Sequence, residues 1–317
     1  MKAFTQKFFA GLIFATASLS ASAIPLSDYN LILLGDLNSN SIHVYEKTFI
    51  GGNINATGWV EFGSRMDKSS RENSLEVVGN LNGPGMHVQA GYAAYSGNNN
   101  LGNVNCNGNG LGGGACRTAG ADLSGKAADL TQQLYSGSQE FASLLGNGDL
   151  FTKGNDKKLQ YDGSDKVAVF NLDGTSLFNQ NSNWSLFAGA AETVIINVSG
   201  FNIVNAGGVN LNNGFGAHAG GTNLGASNIL WNFYEATSID FGSMRMNGSV
   251  LAPYANVTMK NDFDGALAAK SYSGSGQVHN FLFDWTPPPV KTEVPESSTL
   301  MLLLMGLGLI SLARLRR

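Results

Sequence analysis

The chain has 317 residues, of which 13% are charged, while Gly (41) and Asn (34) dominate. That balance excludes an architecture of long salt-bridged helices and favours many tight chain reversals, because Gly and Asn tolerate positive φ. Residues 24–292 carry 14 Lys plus Arg against 21 Asp plus Glu, a charge of about −7 with no basic stripe, which excludes a nucleic-acid-binding surface.

Lys2 and Lys7 precede the apolar stretch Phe8 to Leu19, and Ala21-Ser22-Ala23 supplies the small residues of a signal-peptidase site. Residues 1–23 therefore read as a signal peptide cleaved after Ala23. The exported body spans 24–286, and between Leu26 and Thr286 it holds two prolines, Pro84 and Pro253, so little interrupts long β ladders.

An apolar strand at Asn30–Leu37 opens the body, followed by short alternating segments around His43–Tyr45, Asn53–Asn55 and Trp59–Phe62. Gly52-Asn53-Ile54-Asn55-Ala56 returns 27 residues later as Gly79-Asn80-Leu81-Asn82-Gly83. Gly248-Ser249-Val250-Leu251-Ala252 returns after 17 as Gly265-Ala266-Leu267-Ala268-Ala269. Repeats of 17 to 27 residues predict the coils of a β-solenoid with variable turns. Cys106 and Cys116 enclose nine residues of the most Gly- and Asn-rich segment, and in an exported chain they are expected to form a disulfide.

Ala121–Leu145 breaks the β pattern. Leu123, Ala127, Leu130, Leu134, Phe141 and Leu144 recur at helical spacing, Asp122 is placed to cap the start, and Gly146-Asn147-Gly148 to stop it. Gly137 marks a place for a break. The apolar stripe predicts a helix lying along the side of the solenoid. Strands resume at Val167–Leu172, Thr193–Ser199, Phe201–Asn205, Ile229–Phe233, Ser238–Phe241, Val250–Leu251, Val257–Met259 and Ala266–Ala269, and Phe281–Trp285 is expected to close the last coil with its aromatics.

Pro287-Pro288-Pro289 begins a stiff linker, residues 287–293. The tail 294–317 consists of Val294-Pro295-Glu296, small polar residues, the apolar run Leu300–Ala313, and a basic end with Arg314, Arg316 and Arg317. As a helix the run would measure about 21 Å against a hydrocarbon core of about 30 Å, a marginal span with a cytoplasmic basic anchor. This layout resembles the PEP-CTERM sorting signal of Gram-negative bacteria, with Ser297 where the usual motif has a second proline. The resemblance implies recognition by an exosortase, passage through an inner-membrane intermediate, removal of the tail, and delivery to the surface or matrix of a producer of extracellular polysaccharide.

Leu33-Leu34-Gly35-Asp36-Leu37, Ile50-Gly51-Gly52-Asn53-Ile54, the central helix, Gly248–Pro253 and Gly274–Asn280 together resemble the choice-of-anchor A domain. That resemblance implies a mainly β fold: an adhesive β-solenoid (β-helix-like) with one amphipathic helix on its side, to which the tail adds a transmembrane sorting helix. It carries no catalytic or cofactor residues with it.

Catalytic readings are weak. Gly108–Gly113 fits the letters of G-x-G-x-x-G without the strand and helix that a nucleotide site needs. Gly274-Ser275-Gly276 with His279 is read as a turn and closing strand rather than a nucleophile, and His43, His87 and His218 are scattered. Asp262 with Asp264, and Asp162 with Asp165, are the carboxylate pairs that a polysaccharide lyase or hydrolase, or structural calcium, would use. Tyr92, Tyr95, Trp184, Trp231 and Tyr234 are the aromatic candidates for sugar stacking, Trp231 being the one that reads as core. Five N-x-S/T sequons, Asn55 and Asn197 among them, are not expected to be glycosylated in a bacterial chain. No regular Thr-x-Thr ladder supports ice or mineral binding. The favoured function is a non-enzymatic exported adhesin or matrix protein, with extracellular polysaccharide as partner.

Overall fold

The computed structural model describes residues 24–106, 116–178, 181–216 and 224–285. They form coils of parallel strands. The first coils hold β1 (Leu31–Leu33) and β2 (Leu37–Val44); β3 (Thr48–Ile50), β4 (Ile54–Ala56) and β5 (Trp59–Phe62); β6 (Asn73–Val77), β7 (Leu81–Gly83) and β8 (Gly85–Val88); β9 (Tyr92–Tyr95), β10 (Asn99–Leu101) and β11 (Val104–Asn105). After β12 (Arg117–Ala119) comes helix α1 (Ser124–Ala142), then the antiparallel hairpin β13 (Asp149–Lys153) and β14 (Asp156–Gln160). Winding resumes with β15 (Val167–Asp173) and β16 (Asn183–Phe187); β17 (Thr193–Ser199), β18 (Asn202–Val204) and β19 (Asn210–Leu211); β20 (Ile229–Asn232), β21 (Ser238–Gly242) and β22 (Met246–Asn247). The last coils are β23 (Ser249–Met259) with β24 (Phe263–Asp264), and β25 (Leu267–His279).

Among the described residues β13, β14, β16 and β19 pair in a separate four-stranded sheet, and the other strands stack on three faces. One face, in spatial order, is β15, β17, β20, β23, β25, β1, β3, β6, β9, β12. A second is β18, β21, β23, β25, β2, β4, β7, β10. A third contains β22, β24, β25, β2, β5, β8, β11. The chain therefore begins in the middle of its own stack: Leu31 pairs with Thr48 on one side and with Leu267 on the other.

From that middle the chain winds to one end, α1 carries it back along the first face, and it winds inward again to meet β1. The helix is about 28 Å long at 1.5 Å per residue. Near its start Lys126 pairs with Glu76 of β6, and near its end the Phe141 carbonyl accepts from Asn197 of β17.

Two apolar clusters hold the structure. One fills the solenoid interior, with residues such as Leu37, Ile54, Leu81, Phe170, Trp184 and Trp231. The other lies between the first face and α1, where Ile32, Phe49, Ile195, Leu230 and Leu251 meet Leu130, Leu134 and Phe141. The helical stripe is thus buried as its spacing predicts. Asp122 accepts from the Ser124 N–H (3.1 Å) and hydroxyl (2.6 Å) just ahead of the first turn.

Four details differ from the sequence reading. The helix runs unbroken through Gly137, whose missing side chain leaves room for Ile24: a Cβ there would stand 2.5 Å from Ile24 Cγ2. Asn30–Leu37 is not one strand, because the chain turns a corner between β1 and β2. Phe283 and Trp285 do not cap an end of the stack but pack onto the covered face, in the cluster that holds Ala266 and Ala268 of the last coil. They stack on each other beneath α1, edge-on to Phe141 at 6.5 and 5.2 Å. Coil length reaches 36 residues, the separation of the stacked Asn202 and Ser238, since loops outside the ladder lengthen a coil without disturbing its register.

Cys106 and Cys116 are disulfide-bonded, with Cα atoms 5.9 Å apart, between β11 and β12 at one end of the stack. Among the described residues no helix is long and apolar enough to cross a membrane. Ala21 and Ala23, Val294, Pro295 and Glu296, and Arg314, Arg316 and Arg317 lie outside the described residues, as do the Gly108–Gly113 motif and His218.

Candidate functional site

The first face is covered by α1, whereas the second is open. Side chains alternate along a strand, so the strands of the second face turn an apolar or aromatic residue inward and its neighbours outward, with Asn99 in the inward place on β10. The inward row includes Ile203, Ile239, Val257, Leu37, Ile54 and Leu81, all buried.

The outward residues form two rows across eight strands. One row is Asn202, Ser238, Asn256, Ser271, Asp36, Asn53, Asn80 and Asn98; the other is Val204, Asp240, Thr258, Ser273, Asn38, Asn55, Asn82 and Asn100. Every residue but Val204 is polar. At a spacing of about 4.8 Å per strand the face is roughly 34 Å long.

The asparagines bond to one another. Asn100 Nδ2 donates to Asn82 Oδ1 (2.8 Å), Asn82 to Asn55 (3.0 Å) and Asn55 to Asn38 (3.1 Å). At the adjoining corner Asp36 Oδ1 accepts the Asn53 N–H (2.6 Å), Asn53 Oδ1 the Asn80 N–H, and Asn80 Oδ1 the Asn98 N–H (both 2.8 Å). The corner works only with glycine before each Asn. A Cβ on Gly52, Gly79 or Gly97 would stand within 2.6 Å of the side-chain oxygen of the coil below. Each outward amide keeps one N–H and one lone pair for a ligand, and the ladder fixes their orientation.

Where this face meets the third, a cleft of about 490 Å³ is lined by Asn38, Ser39, Asn40, Asn55, Thr57, Lys260, Gly274 and Ser275. Lys260 is its one charged residue.

A family model described as "Putative Ice-binding-like adhesive domain" matches residues 22–280. The chain belongs to this family. Among solved structures, the adhesive domain is similar to an ice-binding protein from an Antarctic biological consortium: 11% identity, 85% of this chain and 94% of that chain covered, TM-score 0.29. It is also similar to an ice-binding protein from the Antarctic ascomycete Antarctomyces psychrotrophicus: 13% identity, 80% and 96% covered, TM-score 0.26. No curated protein matches the chain.

Within the adhesive domain the expected aromatic platforms are mostly core. Trp184 and Trp231 are buried in the solenoid interior, where Phe178 contacts both, and Tyr95 is buried in the same core toward the other end of the stack. Tyr92 and Tyr234 are half-buried. The exposed tryptophan is Trp59, 42% accessible. Strand parity carried this signal: Val60 and Phe62 point inward, so Trp59 and Glu61 point out, and in Asn183–Phe187 the same count buries Trp184.

The carboxylate pairs are not assembled into a cleft. Asp264 is buried, ion-paired to Arg245 (2.7 Å) and within hydrogen-bond reach of His279 Nδ1. Asp262 accepts the Gln277 N–H (3.0 Å), and Asp162 accepts from Gln160 (2.6 Å). Asp165 donates its N–H to the Tyr161 hydroxyl. Ser275 lies four residues from His279 along one strand, about 13 Å, while the His279 ring engages Asp264 and Gln277. Among the described residues no group of three or more His, Cys, Asp or Glu side chains could hold a metal ion.

Two tyrosines have strongly raised pKa values, and neither is displayed on the open face: Tyr29 lies beside Glu76, and Tyr272 is turned inward beneath the ladder. Burial, with Glu76 beside it, pushes the Tyr29 hydroxyl well above the usual phenol range. Burial likewise raises Tyr272, with Asp262 adding to the shift.

Proposed function

We propose that this chain is an exported, non-enzymatic adhesive protein whose open ladder face binds extended extracellular polysaccharide. The observation that supports this reading is the pair of polar rows on eight strands, left uncovered while the face occupied by α1 is apolar. A flat array of oriented amides and hydroxyls suits a polymer that repeats its own hydroxyls, and many weak contacts add by multivalency. The disulfide fits an oxidising compartment. The family and the carboxylates tied up in turns and ion pairs favour adhesion over polysaccharide cleavage.

The signal peptide 1–23, the choice-of-anchor A likeness and the PEP-CTERM-like tail point to signal peptidase, then an exosortase, then the surface or matrix of a Gram-negative cell. Intact mass and fractionation with and without the exosortase test it. Protein still carrying Arg317 in the inner membrane of both strains would sink the sorting route.

Retention of the mature protein on host polysaccharide, measured for the parent and for a variant with Asn38, Asn55 and Asn82 changed to Ala, tests the face. Loss of retention in the variant alone is expected. Inhibition of ice recrystallisation without polysaccharide retention would instead assign the ladder to ice, with Asn and Ser in the place of Thr.

A further inference from the structure

We propose that the third face carries a carbohydrate subsite built on Trp59, on which the apolar side of a pyranose ring stacks. This rests on the polysaccharide reading above and assigns it a residue-level site. Trp59 opens β5 and is 42% exposed, while Trp184 and Trp231 are buried and Trp285 packs under α1. Its indole presents a large apolar surface next to polar groups, the combination by which an aromatic side chain stacks on a partner with one apolar side and a polar rim.

The ring is held in place. Its benzo edge occupies the space above Gly85, where a Cβ would stand 2.7 to 2.8 Å from three indole carbons. His87 packs against it with ring centroids 4.6 Å apart. Trp59 is thus a rigid, amphipathic contact with little rotamer entropy left to lose on binding.

Hydrogen-bonding groups flank it. Glu61, two residues on and on the same side of the strand, has its carboxylate oriented by Gln89 Nε2 at 2.9 Å. Thr57, two residues before, lines the polar cleft with Lys260. An aromatic edge between carboxylate, amide and hydroxyl groups matches the chemistry of a pyranose, with apolar C–H groups on its faces and hydroxyls around its rim.

The test uses tryptophan emission of the mature protein during titration with cellohexaose, maltohexaose and a mannuronate hexasaccharide. At least one should shift the emission and shield it from acrylamide, a signal dominated by Trp59. Trp59→Ala should weaken binding about tenfold or more. Gly85→Ala, which keeps the tryptophan but displaces it, should weaken it too, and Trp59→Phe should keep part of the affinity and an unchanged melting temperature. Parental affinity in both Trp59→Ala and Gly85→Ala would overturn the subsite. So would a silent emission from a protein that is still retained on host polysaccharide, leaving the ladder-face reading standing. A parent that neither responds to the hexasaccharides nor is retained would overturn both.

Discussion

β23 shows two faces of the molecule within one strand. Ser249 to Pro253 are all buried, and from Tyr254 to Met259 exposed and buried residues alternate until the end. The first half lies under α1 and the second on the open ladder face, so the burial pattern changes where the strand turns the corner. The same contrast separates β17, buried along six of its seven residues, from β21, which alternates. A parallel strand covered on both sides must be apolar on both sides, and one with a wet side need not be. Asparagine makes the contrast sharpest. Asn232 donates to the Ser138 carbonyl of α1 (2.8 Å) and accepts the Ser138 hydroxyl (2.7 Å), fastening helix to sheet, while Asn82 in the open row bonds its ladder neighbours and faces solvent. One residue type serves cohesion on one face and display on the other.

The comparison can be broken first at the helix. Leu134 is fully buried between α1 and the covered face, so Leu134→Ala should cost about 2–5 kcal/mol in chemical denaturation. Polysaccharide retention at low temperature should be unchanged, and lost retention at intact stability would mean that the helix side takes part in binding.

Removing the disulfide with Cys106→Ala and Cys116→Ala should cost about 2–3 kcal/mol on the chain-entropy model for a loop of this size. Because the bond lies between β11 and β12, hydrogen exchange should rise in the last rung of both faces, β12 and β10. Exchange confined to one face would show that the two do not share their end coil.

The paired asparagines sharpen the contrast directly. Asn232→Ala leaves the buried Ser138 hydroxyl unpaired and should cost about 1–3 kcal/mol; Asn82→Ala should change stability by about 0.5 kcal/mol or less and lower retention instead. Equal thermal shifts in the two variants would erase the distinction between a fastening ladder and a displaying one.

The smallest effect is expected at Glu46, in the turn from the third face to the covered face. Burial raises its carboxyl above the usual value, against the lowering effects of Asn280 and Lys47. A carboxyl whose pKa is raised by folding holds its proton more tightly in the folded state, so stability falls as pH rises from the unfolded value of 4.5 through the folded one. Glu46→Gln should therefore melt about 1 °C higher than the parent at pH 7 and no higher at pH 4. An identical difference at both values would remove the titration from the account.

Much of this was legible in the chain. Gly52–Ala56 and Gly79–Gly83 are indeed stacked partners, as are Gly248–Ala252 and Gly265–Ala269. The repeat is longer than those pairs suggested. Gly35-Asp36-Leu37-Asn38 and Gly97-Asn98-Asn99-Asn100 occupy the same corner and rows, but Asp for Asn in one and Asn99 for an apolar residue in the other disguise them. The ladder face was missed because its regularity is carried by Asn rather than Thr. Trp184 was misplaced because composition, not strand parity, decided which aromatics would be outside.

Local patterns in the sequence determined the helix, many of the strands, the disulfide and the solenoid class, since each depends on residues within one or two coils; the hairpin of β13 and β14 was not among those strands. What the sequence did not contain is which coils are neighbours across the break. Leu31 pairs with Leu267, and Phe283 lies under Phe141, only because α1 returns the chain to the far end of the stack before it winds back. Tertiary structure also decided exposure: α1 covers one of the three faces, and the outward asparagines and Trp59 on the other two stay in contact with solvent.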